Sequence, residues 1–233
     1  MKTVVILAGG LGTRLLPYTL TIPKPLLPIG KVPILEIVIK QLIKHKFDRI
    51  IISIGYYGNL IKYHFGDGSK FGCIIEYVEE LTPMGTAGSI SLISNLPDKF
   101  LVMNGDLLTD FDFLTFFDSI DTSDAVASVA LREVNYSIDY GVIELDESKF
   151  VSNYFEKPSN KFFVSMGIYV FNKKSLELLP KNRIDIPTFF NLLRQNGFKI
   201  SGYVSECYWQ DIGKIKDFEQ ANKDFEIDPE RFV

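Results

Sequence analysis

Arg14 and Lys24 stand ten residues apart, one closing the run Gly9-Gly10-Leu11-Gly12-Thr13-Arg14 and the other held in Pro23-Lys24-Pro25. Glycine lets backbone N–H groups approach an anion closely. Fixed positive charge beside such donors suits a polyphosphate. The apolar run Val4-Val5-Ile6-Leu7-Ala8 leads into these glycines as a buried strand leads into a turn. On the glycines alone, an ordinary strand-to-helix turn fits equally well; the two cations at this spacing point to phosphate. Neither common glycine loop fits. A Walker-type loop needs Gly-x-x-x-x-Gly-Lys before Ser or Thr, which is missing here. A dinucleotide fingerprint needs a third glycine where Leu15 stands and an acid after the second strand, where Ser53, Ile54 and Gly55 stand.

Two aspartates are the next candidates. Asp106 follows the apolar run Phe100 to Met103 in Asn104-Gly105-Asp106, and Asp211 lies in Trp209-Gln210-Asp211-Ile212-Gly213. Ligands of an open α/β sheet sit at strand C-termini, so Asp106 falls on the same rim as Gly9 and Gly10. Taken alone, Asp106 also reads as an Asx turn or helix cap, although Asp110 and Asp112 suit that work better. Asp211 alone reads as the cap of a helix starting near Lys214. His45 and His64 fall in helical stretches and read as structural.

Taken together, these motifs resemble the sugar-1-phosphate nucleotidylyltransferases, also called NDP-sugar pyrophosphorylases. The resemblance runs in order from Lys2 to about Asn222 and takes in Leu26-Leu27-Pro28, Gly85-Thr86-Ala87-Gly88, Tyr140-Gly141-Val142, Phe155-Glu156-Lys157-Pro158 and Met166-Gly167-Ile168-Tyr169. Its wording is most similar to bacterial mannose-1-phosphate guanylyltransferases and relatives acting on heptose or N-acetyl sugars. It implies a Rossmann-like α/β fold of the GT-A type, with a mixed, mostly parallel central sheet flanked by helices. No C-terminal β-helix domain of the kind some members carry is expected.

The reaction so implied is attack of a sugar 1-phosphate oxygen on the α-phosphorus of a nucleoside triphosphate, with loss of pyrophosphate. The nucleophile is already an anion, so no Ser–His or Cys–His pair is needed. Catalysis must instead hold two anions in line and offset their repulsion, which calls for cations and Mg2+. The resemblance makes Asp106 and Asp211 the metal ligands, since magnesium takes one or two carboxylates and fills its shell with water and phosphate. Leu7, Ala8, Gly9, Gly10, Gly12, Thr13, Gly85 and Thr86 are expected to line the nucleotide site. Arg14 is expected on the β- and γ-phosphates and Lys24 on the α-phosphate, its flanking prolines limiting the entropy lost. Glu156 and Lys157 should clamp the sugar phosphate, with Gly141, Gly167 and Asn104 around the sugar. A solvated Glu–Lys pair is the plain alternative for that clamp.

For the base, Glu80 is the reader expected, with Glu79 its equal neighbour. A carboxylate accepts from two N–H donors and so suits guanine better than the edge of uracil or thymine. GTP is therefore favoured, with thymidylyl, uridylyl or cytidylyl transfer as the alternative and a non-catalytic nucleotide-sugar sensor as the rival of another class. Intact Arg14, Lys24, Asp106, Lys157 and Asp211 speak against the sensor.

The elements that must position these groups alternate between short β-rich runs and amphipathic helices. Strands are expected over 3–7, 48–54, 74–78 and 100–103, and helices over 33–46, 57–65 and 86–95. After Phe113 the texture turns to β over 125–132, 141–145, 151–155 and 164–171, followed by helices over 186–196 and 214–224. The 233 residues are expected to form one domain, residues 1–110 serving the nucleotide and 111–233 the sugar phosphate. A net charge of −4 argues against a nucleic-acid binder but leaves room for a local cationic pocket. No apolar run reaches the roughly 18 residues of a membrane span, and the start does not read as a signal peptide. Cys73 and Cys207 read as buried free thiols, consistent with a cytoplasmic protein. A homodimer is an open possibility from the resemblance.

Overall fold

The computed structural model describes residues 1–232. In chain order the strands are β1 (Lys2–Ala8), β2 (Pro28–Ile29), β3 (Val32–Pro33), β4 (Phe47–Ile54), β5 (Ile74–Glu79), β6 (Lys99–Asn104) and β7 (Leu107–Thr109). They continue as β8 (Ala127–Ser137), β9 (Val142–Leu145), β10 (Val151–Phe155), β11 (Ser159–Asn172), β12 (Ile200–Val204) and β13 (Trp209–Asp211). The helices are α1 (Ile34–Lys44), α2 (Gly58–Phe65), α3 (Gly85–Gly88), α4 (Phe113–Ser119), α5 (Ile186–Gln195) and α6 (Ile215–Ile227).

Seven strands form one sheet in the order β12-β8-β11-β6-β1-β4-β5. β1 runs parallel to β4 and β6, β4 to β5 and β8 to β12, while β11 is antiparallel to both of its neighbours. The sheet is covered on both faces, which explains the unbroken apolar runs of its central strands. Side chains alternate across a strand, so Val4 and Ile6 enter one core layer with Ile50, Ile52, Leu101 and Met103 under α1 and α4. Val5 enters the opposite layer with Ile51, Phe100 and Val102 against α5. A third cluster joins Leu15, Leu27 and Ile29 to Ile212, Ala221 and Phe225, so the segment carrying the early cations is packed onto α6.

The expected elements are present with shifted ends, and three differences matter. The helix expected over 86–95 is only α3 followed by a 3-10 turn, Ser89–Leu92. Two glycines weaken it, and Ile184 O accepts from both Ala87 N and Gly88 N at 3.0 Å, fixing the chain from outside. Cys207 is only partly buried, although Cys73 is buried and both are free. Asp211 does not cap the last helix: it ends β13, and Lys214 occupies the cap. Asp112 does cap α4, accepting from Leu114 N at 3.1 Å and Thr115 N at 3.0 Å.

Candidate active site

The parallel strands β1 and β6 deliver Gly9-Gly10 and Asn104-Gly105-Asp106 to one rim, with Leu7 directly opposite Asn104 in register. A cavity of about 320 Å³ opens there. Leu7, Ala8, Gly9, Gly10, Gly12, Lys24, Glu80, Gly85, Thr86, Asn104 and Asp106, all candidates from the sequence, line it. That volume lies at the lower end of small-molecule sites.

Lys24 Nζ donates to Asp106 Oδ2, so the expected phosphate cation and the expected metal ligand are in contact. A two-stranded ladder brings in Asp211: β13 pairs antiparallel with β7, setting Asp211 opposite Leu107. Ile212 N also donates to Asp106 O at 3.1 Å. Residues 105 positions apart thus become neighbours. Burial pushes the Asp211 carboxyl pKa up, and the like charge of Asp106 adds to this; Lys24 and Arg14 oppose it. Arg14 lies outside the cavity wall but reaches this corner, where a Cβ on Gly213 would lie 3.5 Å from both terminal guanidinium nitrogens. Thr13 is exposed in the same 3-10 turn and does not line the cavity.

Asp106 Oδ1 is buried and has no hydrogen-bond partner among the described residues. An unsatisfied buried acceptor costs about 1–3 kcal/mol, more when charged. The like charge of Asp106 beside Asp211 adds repulsion between the two carboxylates. A divalent cation relieves both penalties, so Asp106 and Asp211 fit one. No group of three or more His, Cys, Asp or Glu suited to a metal occurs among the described residues. Two carboxylates suit a hard ion that keeps water and phosphate ligands rather than a closed protein cage.

Glu80 is not a free reader of a base edge in this arrangement. Its Oε1 accepts from Ser53 Oγ at 2.8 Å and its Oε2 from Met84 N at 3.0 Å. It also supports the glycine turn from below, since a Cβ on Gly9 would come within 2.6 Å of Oε1. Glu79 faces another depression and pairs with Lys62.

The sugar-side residues divide. Gly167 (φ +73°) meets the cavity through Asn104, whose Nδ2 would lie 2.5 Å from a Cβ at that position. Gly141, Glu156 and Lys157 sit instead on an exposed arm made of β9, β10 and the adjoining ends of β8 and β11, and none lines the cavity. Glu156 accepts from Tyr154 Oη at 3.0 Å, and Lys157 holds a left-handed backbone (φ +45°).

The sequence reading missed Pro25, Pro83, Ser89, Gly105, Arg183 and Asp185, which also line the cavity. Ser89 is 1% exposed and its hydroxyl has no protein partner among the described residues. Arg183 and Asp185 come from the loop before α5, where nothing in the local sequence resembles a phosphate or sugar motif. The two histidines stay outside the cavity: His45 Nδ1 lies 3.3 Å from Asp112 and His64 Nε2 lies 3.5 Å from Glu36.

The chain is 33% identical over 229 residues to mannose-1-phosphate guanylyltransferase of Mycobacterium tuberculosis, covering 94% of this chain and 63% of that one. It is 31% identical to UTP–glucose-1-phosphate uridylyltransferase of Synechocystis, covering 93% and 61%. The chain thus spans about three fifths of the length of these curated relatives. Among solved structures it is similar to HddC from Yersinia pseudotuberculosis, with a TM-score of 0.75, 29% identity, and coverage of 97% of this chain and 100% of that one. The same protein complexed with GMP-PN superposes with a TM-score of 0.72. The family described as Nucleotidyl transferase matches residues 3–227, and the chain belongs to it.

Proposed function

We propose that the chain transfers a nucleotidyl group from a nucleoside triphosphate to a sugar 1-phosphate, giving an NDP-sugar and pyrophosphate. One observation carries this reading: Lys24 and Asp106 meet beside a glycine turn in the wall of one cavity, and the ladder of β13 with β7 brings Asp211, itself outside that wall, next to Asp106. In the reaction a phosphate oxygen of the sugar bonds to the α-phosphorus as the α–β phosphoanhydride bond breaks. Backbone amides of Gly9 and Gly10 face the phosphates, and Arg14 holds the β- and γ-phosphates from outside the cavity. Lys24 leaves Asp106 to lie against the α-phosphate and offset charge in the transition state. Asp106 and Asp211 hold Mg2+, which supplies charge neutralisation and in-line orientation of the phosphates. Asn104 and Gly167 face the sugar, and Glu156 and Lys157 reach its hydroxyls and phosphate from the arm. Residues 1–110 supply most of the nucleotide site and residues 111–233 most of the sugar site.

The favoured pair is GTP with mannose 1-phosphate or a related sugar. The guanylyltransferase relative and the GMP-PN complex support guanine; the uridylyltransferase relative supports a pyrimidine as the alternative. Nucleoside triphosphates are cytoplasmic metabolites, which supports action in the cytoplasm. A second copy of the chain is the proposed partner of the arm. Tyr136, Tyr140, Phe150, Tyr154, Phe162 and Phe163 are each more than half exposed there. Phe162 and Phe163 are consecutive in β11 and so face opposite sides of the arm, leaving apolar surface on both that a second copy would cover.

The test is pyrophosphate release with magnesium, crossing GTP, UTP, dTTP, CTP and ATP with mannose, glucose and other sugar 1-phosphates. Release with a GTP and mannose-type pair is the expected result. Release with another pair would replace base and sugar and keep the class. Nucleotide binding with no release across the whole panel would turn the reading to a sensor.

A further inference from the structure

The wall of the cavity that runs from Pro83 to Thr86 is a short loop entering a four-residue helix, an arrangement with little stability of its own. It is held from two sides by carboxylates. On one side, Glu80 Oε2 accepts from Met84 N at 3.0 Å. On the other, Asp185 Oδ1 accepts from Thr86 N at 3.0 Å and from Thr86 Oγ1 at 3.4 Å.

The second contact is reciprocal. Asp185 stands at the N-cap of α5, yet its side chain makes no cap bond to that helix. Thr86 Oγ1 supplies one instead, accepting from Ile186 N at 2.9 Å. Each helix start is therefore capped by a side chain of the other. Backbone bonds close the exchange: Ile184 N donates to Met84 O at 2.9 Å, and Ile184 O accepts from Ala87 N and Gly88 N at 3.0 Å. Gly85 turns through φ +76° at the crossing, and a Cβ there would lie 2.6 Å from Ile184 O. A backbone this close leaves room for glycine only.

We infer that Asp185 is a positioning residue for nucleotide binding, fixing the Gly85-Thr86 wall through this exchange of caps with Thr86. The inference rests on the reading of the cavity as the nucleotide site. Thr86 meets the nucleotide as part of a shaped wall, because its own amide is already bound to Asp185. The sugar side of the site, around Asn104 and Gly167, shares none of these bonds and is independent of the exchange.

The test compares Asp185→Ala, Asp185→Asn, Thr86→Val and the Asp185→Ala/Thr86→Val double variant in the full chain. Binding of GTP, UTP and dTTP with magnesium is measured by calorimetry, alongside KM for each substrate and the thermal midpoint. Loss of one hydrogen bond to a charged acceptor predicts about tenfold weaker nucleotide binding for Asp185→Ala. Asp185→Asn, which keeps an acceptor oxygen, recovers most of it. The double variant loses little beyond the worse single one, and KM for the sugar phosphate stays within about twofold. Wild-type nucleotide affinity in Asp185→Ala, or equal losses for both substrates, would overturn the inference while leaving the cavity assignment intact. Failure of the unaltered protein to bind any of the three nucleotides would overturn the cavity reading, and this inference with it.

Discussion

Asp211 carries an electrostatic penalty that its neutral isostere would lack. Its carboxyl is pushed toward the protonated form by burial and by Asp106, so holding it ionised at neutral pH destabilises the folded chain. Asp211→Asn is expected to abolish magnesium-dependent turnover and, without metal, to raise the thermal midpoint. Relief of the penalty shows as a midpoint above that of the unaltered protein. Magnesium should stabilise the unaltered protein and have little effect on the variant, as thermal scans with and without the ion would reveal. A metal-free midpoint below wild type would show that Asp211 is a structural partner instead. Individual residues were legible where chemistry limits the choice of side chain: Lys24 between prolines and Asp106 after a buried strand both reached the cavity. Glu80 was expected to read the base, and its engagement by Ser53 was not legible because that bond depends on the pairing of β4 with β5.

At the level of elements, the ladder of β7 with β13 does what no single strand could, seating Asp211 beside Asp106. Three residues a side carry too little hydrophobic pattern to announce a strand, which is why only the resemblance anticipated the meeting of these aspartates. The loop before α5 escaped for a related reason, since Asp185 acts on Thr86 across 99 positions. The hairpin of β9 and β10 presents the opposite case: its strands were plain in the sequence, but its place outside the cavity was not. That hairpin must approach the cavity for Lys157 to reach a sugar phosphate. Lys157→Ala is accordingly expected to raise KM for the sugar phosphate about 10- to 100-fold, the size of a lost charge-assisted bond. Nucleotide affinity should be unchanged, and steady-state kinetics with each substrate varied in turn separates the two. Equal losses for both would place Lys157 elsewhere.

Over the whole molecule, the sheet and its two covered faces were legible because consecutive β-branched residues in β1 and β4 allow few other burials. The reversed direction of β11 was not, since an apolar run carries no sign of its orientation. The uncovered arm gives the molecule-scale prediction. Sedimentation velocity at micromolar concentration should show a dimer, and Phe162→Glu with Phe163→Glu should convert it to a folded monomer. A monomeric wild-type protein, or a dimer indifferent to both changes, would remove the arm from the interface.

No residue from 131 to 165 is buried, yet this stretch holds Gly141, Glu156 and Lys157, while the nucleotide cavity is built against the packed sheet. Replacement of the arm therefore leaves no hole in the interior and disturbs no core layer. Such a division makes the stretch an interchangeable cassette: lineages, or designers, can graft a different arm and, on its proposed sugar-side role, retune the sugar accepted without having to re-solve the folding of the rest.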